Sequence, residues 1–399
     1  MQIKPKRRFI TERLFYAPLL VKINIIDINI DSCKSGITKY NGGMDKRKLK
    51  LIIGSVCLVI AWVATFFWNA KSVSYISKSP DGNLLLDGDE YLKTGEIVIL
   101  PDDDTVTVKT TDDSNWNLFV SDDVSEDYRG VFINKRKIKL NNYAMAKYPV
   151  TQELFERVMG NNPSRFSRQN FGSKYTIECP DENPDLRPVE TVSWFEAIAF
   201  CNKLTLELMK QKDCVYYSDS ACKYVYTIED CKKRVIPVCG KDKKGFRLPT
   251  ETEWEFAARG GRYQSSEWND TFAGTKTENE KYINDFKTVV FADSNLDDYG
   301  WYKGNSDEIS HEVGMKKPNS IGLYDMSGNV WEWLYDWYDA DVATGKSVNP
   351  VGGKTGPARV LRGGSWSEPA FECCVTKRFS NARPWIGHHY FGFRICRSL

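Results

Sequence analysis

The stretch Gly322-Leu-Tyr-Asp-Met-Ser-Gly-Asn-Val-Trp-Glu-Trp333 constrains this chain more than any other. Gly328-Asn329 is turn chemistry, and Val330 to Trp333 reads as a short strand after it. On a strand, Trp331 and Trp333 point to one face and Glu332 to the other. Two large aromatics therefore enter a core while one carboxylate turns away. Asp325 precedes the turn. Folded back, Asp325 and Glu332 could share one hard cation with the carbonyls of Gly328 and Val330. Alternatively, Asp325 caps the turn and Glu332 meets an arginine. Spacing alone favours the second reading, because oxygen-ligand motifs are loose.

The chain has 399 residues, enough for one large domain or two ordinary ones. A net charge of +2 implies no polyelectrolyte partner, and no nucleic-acid footprint is present. Aromatics reach 13%, which suits irregular structure held by large side chains.

Leu51 to Trp68 carries neither charge nor proline. As a helix it spans roughly 27 Å, about the thickness of a bilayer core. Lys46, Arg47, Lys48 and Lys50 stand before it, whereas Asp81, Asp87, Asp89 and Glu90 follow. The positive-inside rule places the N-terminus in the cytoplasm and the main body outside, in the periplasm or at the cell surface. No small-x-small pattern precedes Lys71, so an uncleaved anchor is expected rather than a signal peptide. Gly-Ser-Val before Cys57 does not fit a lipoprotein. Residues 1–43 are read as an extension ahead of a true start at Met44.

Of the 11 cysteines, Cys33 and Cys57 lie before or within the apolar run. Those between 201 and 239, on the oxidising side, read as disulfides. Zinc is disfavoured, because the 214/222/231/239 spacings contain no Cys-x2-Cys pair.

Residues 71–127 are acidic and turn-rich, with strands expected at Glu96 to Leu100, Thr105 to Thr110 and Asn117 to Val120. This predicts a β-rich spacer or accessory region. Strands follow at Lys137 to Leu140 and Tyr143 to Tyr148. Thr151 caps a helix that Gly160 ends. Ser193 caps a second helix reaching about Met209, with Glu196 in its first turn. Residues 210–245 read as a Cys-rich insertion with a strand at Cys222 to Tyr226. Thr250 and Glu253 form a capping box. Arg359 to Trp366 and Phe391 to Cys396 close the chain as strands.

Tyr148-Pro-Val-Thr-Gln152, Arg187-Pro-Val-Glu-Thr-Val-Ser-Trp194, Phe246-Arg-Leu-Pro-Thr-Glu-Thr-Glu-Trp-Glu255, Gly322 to Trp333, Arg362-Gly-Gly-Ser-Trp366 and Gly392-Phe-Arg394 occur in this order. Together they resemble the sulfatase-modifying-factor family, whose founding member is the formylglycine-generating enzyme. The resemblance covers roughly 128–399. It implies an α+β, irregular C-type-lectin-like fold of the formylglycine-generating-enzyme type, here after one transmembrane helix at about 51–68 within an anchor at 44–70.

The resemblance also implies calcium. Asp325, Gly328, Val330 and Glu332 match one family calcium site, and Asn295 and Leu296 match the start of a second that Asp298 and Gly300 would complete. It implies a disulfide Cys201–Cys396. Proximity suggests Cys214–Cys222 and Cys231–Cys239 as further pairs, each stabilising the insertion by roughly 2–3 kcal/mol.

The founding enzyme oxidises a substrate cysteine to formylglycine with O2, using two cysteines that hold Cu(I). Carrying those positions over places Glu368 at the first cysteine and Cys373 at the second, with Ser365 at the active-site serine. Carboxylate is a poor Cu(I) ligand, so copper is not expected. Cys374 is a poor substitute, since neighbouring residues on an extended segment face opposite ways. His311, His388 and His389 do not suggest the histidine cluster of the iron-dependent branch.

The favoured expectation is a membrane-anchored extracytoplasmic non-oxidase module that binds a protein, peptide or glycan, or joins an envelope assembly. The alternative is a formylglycine-generating oxidase acting on exported sulfatases. A weaker third is a metal-dependent enzyme using Glu368 as acid or base.

Overall fold

The computed structural model describes residues 126–133, 136–170, 182–261, 265–278 and 292–399, with four short backbone strands between 76 and 107. Contacts group the chain into Met1–Ser72 and Val73–Leu399, and every described residue lies in the second unit. The expected span at 51–68, the strand at Asn117 to Val120 and Cys179 lie outside the described residues. Among those described, no helix is long and apolar enough to cross a membrane.

The early strands are β1 (Ile76–Lys78), β2 (Leu84–Leu86), β3 (Ile97–Ile99) and β4 (Val106–Thr107). Then come β5 (Arg136–Lys139), β6 (Tyr143–Ala146) and the insertion pair β7 (Tyr216–Tyr217) and β8 (Val238–Cys239). The remainder are β9 (Phe246–Arg247), β10 (Trp331–Trp337), β11 (Gly345–Val348), β12 (Arg359–Arg362), β13 (Arg378–Ala382), β14 (Phe391–Gly392) and β15 (Cys396–Ser398). Four helices accompany them: α1 (Gln152–Met159), α2 (Trp194–Leu208), α3 (Ile228–Lys232) and α4 (Glu251–Ala258). Two sheets run in the orders β13-β12-β10-β14 and β3-β6-β15-β9, and a third runs β11-β5-β4.

The caps are made as the sequence predicts. The Thr151 side chain accepts from the Leu154 N–H. Ser193 with Glu196, and Thr250 with Glu253, form complete capping boxes. These contacts satisfy donors that a helix N-terminus otherwise leaves open.

β10 is the wall between two cores. Trp331 and Trp333 enter one, with α1, α2 and Phe391. Leu334 enters the other, with Trp254 and Val360. The two-residue period of a strand does this without further instruction. Each fully buried aromatic contributes roughly 2–3 kcal/mol. The indole N–H groups find acceptors across the core: Trp333 donates to the Val192 carbonyl at 2.8 Å and Trp194 to that of Leu334 at 2.8 Å.

α4 faces inward with three glutamates, and each meets arginine. Arg378 donates to both oxygens of Glu251 at 2.7 and 2.9 Å. Arg247 holds both oxygens of Glu253 at 2.7 Å. Glu255 pairs with Arg362 and, at 3.0 Å, with Arg259. Burial alone would raise the Glu251 carboxyl, but Arg378 and Arg362 outweigh it and hold the group below the usual range.

The strands expected within Glu96 to Leu100 and Thr105 to Thr110 form as β3 and β4, which pair with β6 and β5. Two expectations are revised. Cys222 to Tyr226 is not a strand. The Asp219 carboxylate accepts from the N–H groups of Lys223 and Tyr224 at 2.9 and 2.8 Å and turns the chain locally. Only Val225 makes a bridge, to Tyr217.

The second revision concerns sulfur. All eight described cysteines are free, so none of Cys201–Cys396, Cys214–Cys222 and Cys231–Cys239 is bonded here. Arg247 donates to the Cys396 Sγ at 2.9 Å, and Cys201 lies within electrostatic reach of both. The Cys214 Sγ faces the Asn202 carbonyl at 3.9 Å. Cys231 is buried in the core, whereas Cys239 is exposed on β8.

Candidate functional site

The opening motif positions a turn far away in sequence. Gly328 adopts φ +95, and a Cβ there would lie 2.2 Å from the Trp301 carbonyl oxygen. Only glycine fits so close an approach. Its N–H donates to the Gly363 carbonyl at 2.7 Å. Asn329 is the hub. Its carbonyl accepts from the Trp366 N–H at 2.9 Å, while its side chain bonds His311 backbone N–H and C=O at 3.1 and 3.0 Å. The Ser306 hydroxyl completes the seat by donating to the Trp366 carbonyl at 2.8 Å.

On this seat stand Ser365, Trp366 and Glu368. Ser365 is fully buried, and its Oγ lies 3.1 Å from the Ser367 Oγ. Cys373 is fully buried beneath Gly364, where a Cβ would come within 2.5 Å of the sulfur. The Cys373 Sγ lies 4.0 Å from the carbonyls of Ser365 and Pro369. The Cys374 Sγ instead contacts the Phe371 carbonyl at 2.9 Å, so the two sulfurs serve different acceptors. Burial, then the Cys374, Glu368 and Glu372 charges, push the Cys373 thiol well up. It stays protonated.

Glu368 is half-buried. Burial and the nearby Glu372 charge raise its carboxyl above the usual range. Two residues before it in the chain, Trp366 joins an aromatic cluster that the sequence alone does not single out. Trp366 meets Phe166 edge-on at 5.2 Å and His389 at 5.6 Å, and its indole donates to the His389 carbonyl at 3.1 Å. Tyr390 packs on the same cluster. Arg165 borders it, 5.7 Å from the Phe166 ring. The run Trp385-Ile-Gly-His-His-Tyr390 was the available signal.

A buried carboxylate holds the far edge. Glu190 accepts from the Phe166 N–H at 2.8 Å and from the Thr191 hydroxyl at 2.6 Å. The Thr191 N–H in turn donates to the His388 carbonyl at 2.9 Å. Burial pushes Glu190 up to about 7. Elsewhere, His311 presents its two ring nitrogens to Glu182 Oε1 at 2.5 Å and the Ser306 carbonyl at 2.8 Å, away from the His388–His389 pair.

Two of the expected calcium ligands, Glu332 and Asp325, have other partners. Glu332 takes Arg394 on both oxygens and Trp254 Nε1 at 2.7 Å. Asp325 accepts from the Gly314 N–H at 2.8 Å and from Asn329 Nδ2 at 3.2 Å. Arg394 thus supplies a counter-charge to Glu332 in the place where a cation would otherwise sit. In the second set, Asp298 pairs with Lys317 at 2.6 Å, Asn295 Nδ2 donates to the Lys276 carbonyl at 3.0 Å, and the Leu296 and Gly300 carbonyls accept from Tyr299, Gly300 and Asn305. No group of three or more acidic, His or Cys side chains poised for a metal occurs among the described residues.

Residues 103–399 match the model of the Sulfatase-modifying factor enzyme 1-like domain, and the chain belongs to that family. The match begins earlier than residue 128 and takes in β4. The chain is 31% identical over 238 residues to the chaperone protein LppX of Paenibacillus barcinonensis, covering 56% of this chain and 75% of LppX. It is 34% identical over 142 residues to the formylglycine-generating enzyme of Thermomonospora curvata, covering 31% of this chain but only 39% of that enzyme. It is 27% identical over 284 residues to the inactive C-alpha-formylglycine-generating enzyme 2 of Mus musculus, covering 66% and 77%. Among solved structures, Treponema denticola variable protein 1 is similar at 32% identity and a TM-score of 0.55, covering 76% of this chain and 95% of that one.

Proposed function

We propose that this chain is a membrane-anchored, extracytoplasmic member of the family that works as a binding or envelope-assembly module and not as an oxidase. The observation that carries this reading is the burial of Cys373. Its sulfur is sealed under Gly364, kept protonated, and has a carboxylate where a second thiolate would be needed. A Cu(I) centre requires two accessible soft donors. The half-buried rings of His389 and Tyr390 offer recognition instead of redox chemistry. The likeness to a mouse relative named inactive, and to a protein named a chaperone, is in keeping with this. The outward orientation rests on the basic cluster before the apolar run.

The test is direct. The purified full-length chain is incubated with Cu(I), O2 and a peptide carrying Cys-x-Pro-x-Arg. No aldehyde is expected by mass spectrometry. Aldehyde that disappears in Cys373→Ala would establish the oxidase and remove this reading.

A further inference from the structure

The insertion at 210–245 walls a cavity of about 510 Å³, and none of Ser365, Glu368 and Cys373 lines it. That volume falls within the roughly 300–1,000 Å³ of small-molecule sites. One side is β8 and the turn after it, through Cys239, Asp242 and Lys243, and another is the end of β15. Buried Val215 and Leu248, with exposed Val351, give it an apolar surface.

The charges on this wall sort into two satisfied pairs and two single groups. Arg247 holds both oxygens of Glu253 at 2.7 Å. Lys244 Nζ meets the main-chain oxygen of Leu399, whose N–H is tied to the Asn142 carbonyl at 3.2 Å. Lys243 and Asp242 remain. Lys243 Nζ donates to the Lys212 carbonyl at 2.9 Å and stands 5.4 Å from the Tyr217 ring centroid, but it meets no carboxylate among the described residues. Asp242 is exposed, and its side chain makes no ion pair or hydrogen bond with any described residue. A cation and an anion, adjacent in the chain and each without a counter-ion, thus share one cavity with an apolar surface.

We propose that this cavity receives a zwitterion with an apolar side chain, of the free α-amino acid class. The ligand's carboxylate meets Lys243, its ammonium meets Asp242, and its side chain packs on Val215, Leu248 and Val351. A ligand of one charge leaves one wall group unanswered, and an uncharged apolar guest leaves both. Cys239 carries an exposed thiol on the same wall, so an occupant shields it. This site goes beyond the binding role proposed above and does not depend on it.

The test uses the purified full-length chain with L-leucine as probe, and N-acetyl-L-leucine and L-leucinamide as analogues that each lack one charge. Calorimetry reads affinity, and iodoacetamide labelling of Cys239 reads location. L-Leucine should bind about tenfold tighter than either analogue and should slow Cys239 alkylation. Lys243→Gln should erase the advantage over the amide, and Asp242→Asn the advantage over the acetyl compound. Lys241→Gln, exposed and outside the cavity lining, should change nothing. Equal binding of the three compounds, no binding at millimolar concentration, binding that leaves Cys239 labelling unchanged, or preferences that survive in either variant would overturn the proposal. Copper-dependent aldehyde formation at Cys373 would remove the non-oxidase reading and leave this site untouched.

Discussion

Arg394 grips Glu332 by two nitrogens, with Nη2 2.7 Å from Oε1 and Nε 2.9 Å from Oε2, in a region neither side chain shares with solvent. The same guanidinium donates to the carbonyls of Ala146, Lys147 and Tyr324 at 2.9, 2.8 and 2.7 Å. One side chain thus ties β6, the opening motif and β10. Arg394→Ala leaves Glu332 charged and unpaired, and should cost about 3–5 kcal/mol. Urea denaturation should show the midpoint falling with an unchanged slope.

Calcium offers a second check on the same pair. Because arginine supplies the charge opposite Glu332, chelation has nothing to remove there. EDTA should leave the melting temperature within about 1 °C of the calcium-loaded sample. A large drop, restored by calcium and absent in Asp325→Asn, would show that Arg394 gives way to a cation.

The pH profile should carry the mark of Glu190 and Asp336. Burial pushes both up to about 7, from ordinary values of 4.5 and 3.8. A raised carboxyl keeps its proton in the fold while the unfolded chain loses it. Stability therefore falls as pH rises from about 4 to 7, by roughly 3 kcal/mol for Glu190. Below that window the arginine-held carboxylates Glu251 and Glu253 act in the opposite sense. Thermal melts of Glu190→Gln should show a flatter profile between pH 5 and 7, since the amide can still accept from Phe166. An identical profile would mean Glu190 does not titrate in that range.

Thiol labelling should separate the cysteines by position. Cys239 is exposed and should be alkylated first. Cys373, Cys374 and Cys201 are buried, with thiols raised by burial, and should react only in denaturant. Peptide mass mapping after brief iodoacetamide treatment reads this out. Fast labelling of Cys373 in the native protein would contradict the sealed site.

Much of the fold was legible. The helices at Thr151, Ser193 and Thr250 were readable because caps are local chemistry. The two-sided role of β10 was readable because strand alternation is geometry. The site was legible only in part. Ser365, Glu368 and Cys373 could be placed by motif order, but the sealing of Cys373 by Gly364 depends on how two segments stack. Glu190 and Asn329 looked like ordinary motif residues, since nothing local shows that one holds the Phe166 loop and the other seats Trp366. The turn at Cys222 was missed because Asp219 competes for backbone donors only once the loop closes.

Sequence by itself determined the family, the caps and which faces of the strands are apolar, because each depends on neighbours within a few positions. Tertiary structure alone decided which charges meet. Whether Glu332 faces arginine or a cation turns on groups tens to hundreds of residues apart whose approach is fixed by packing.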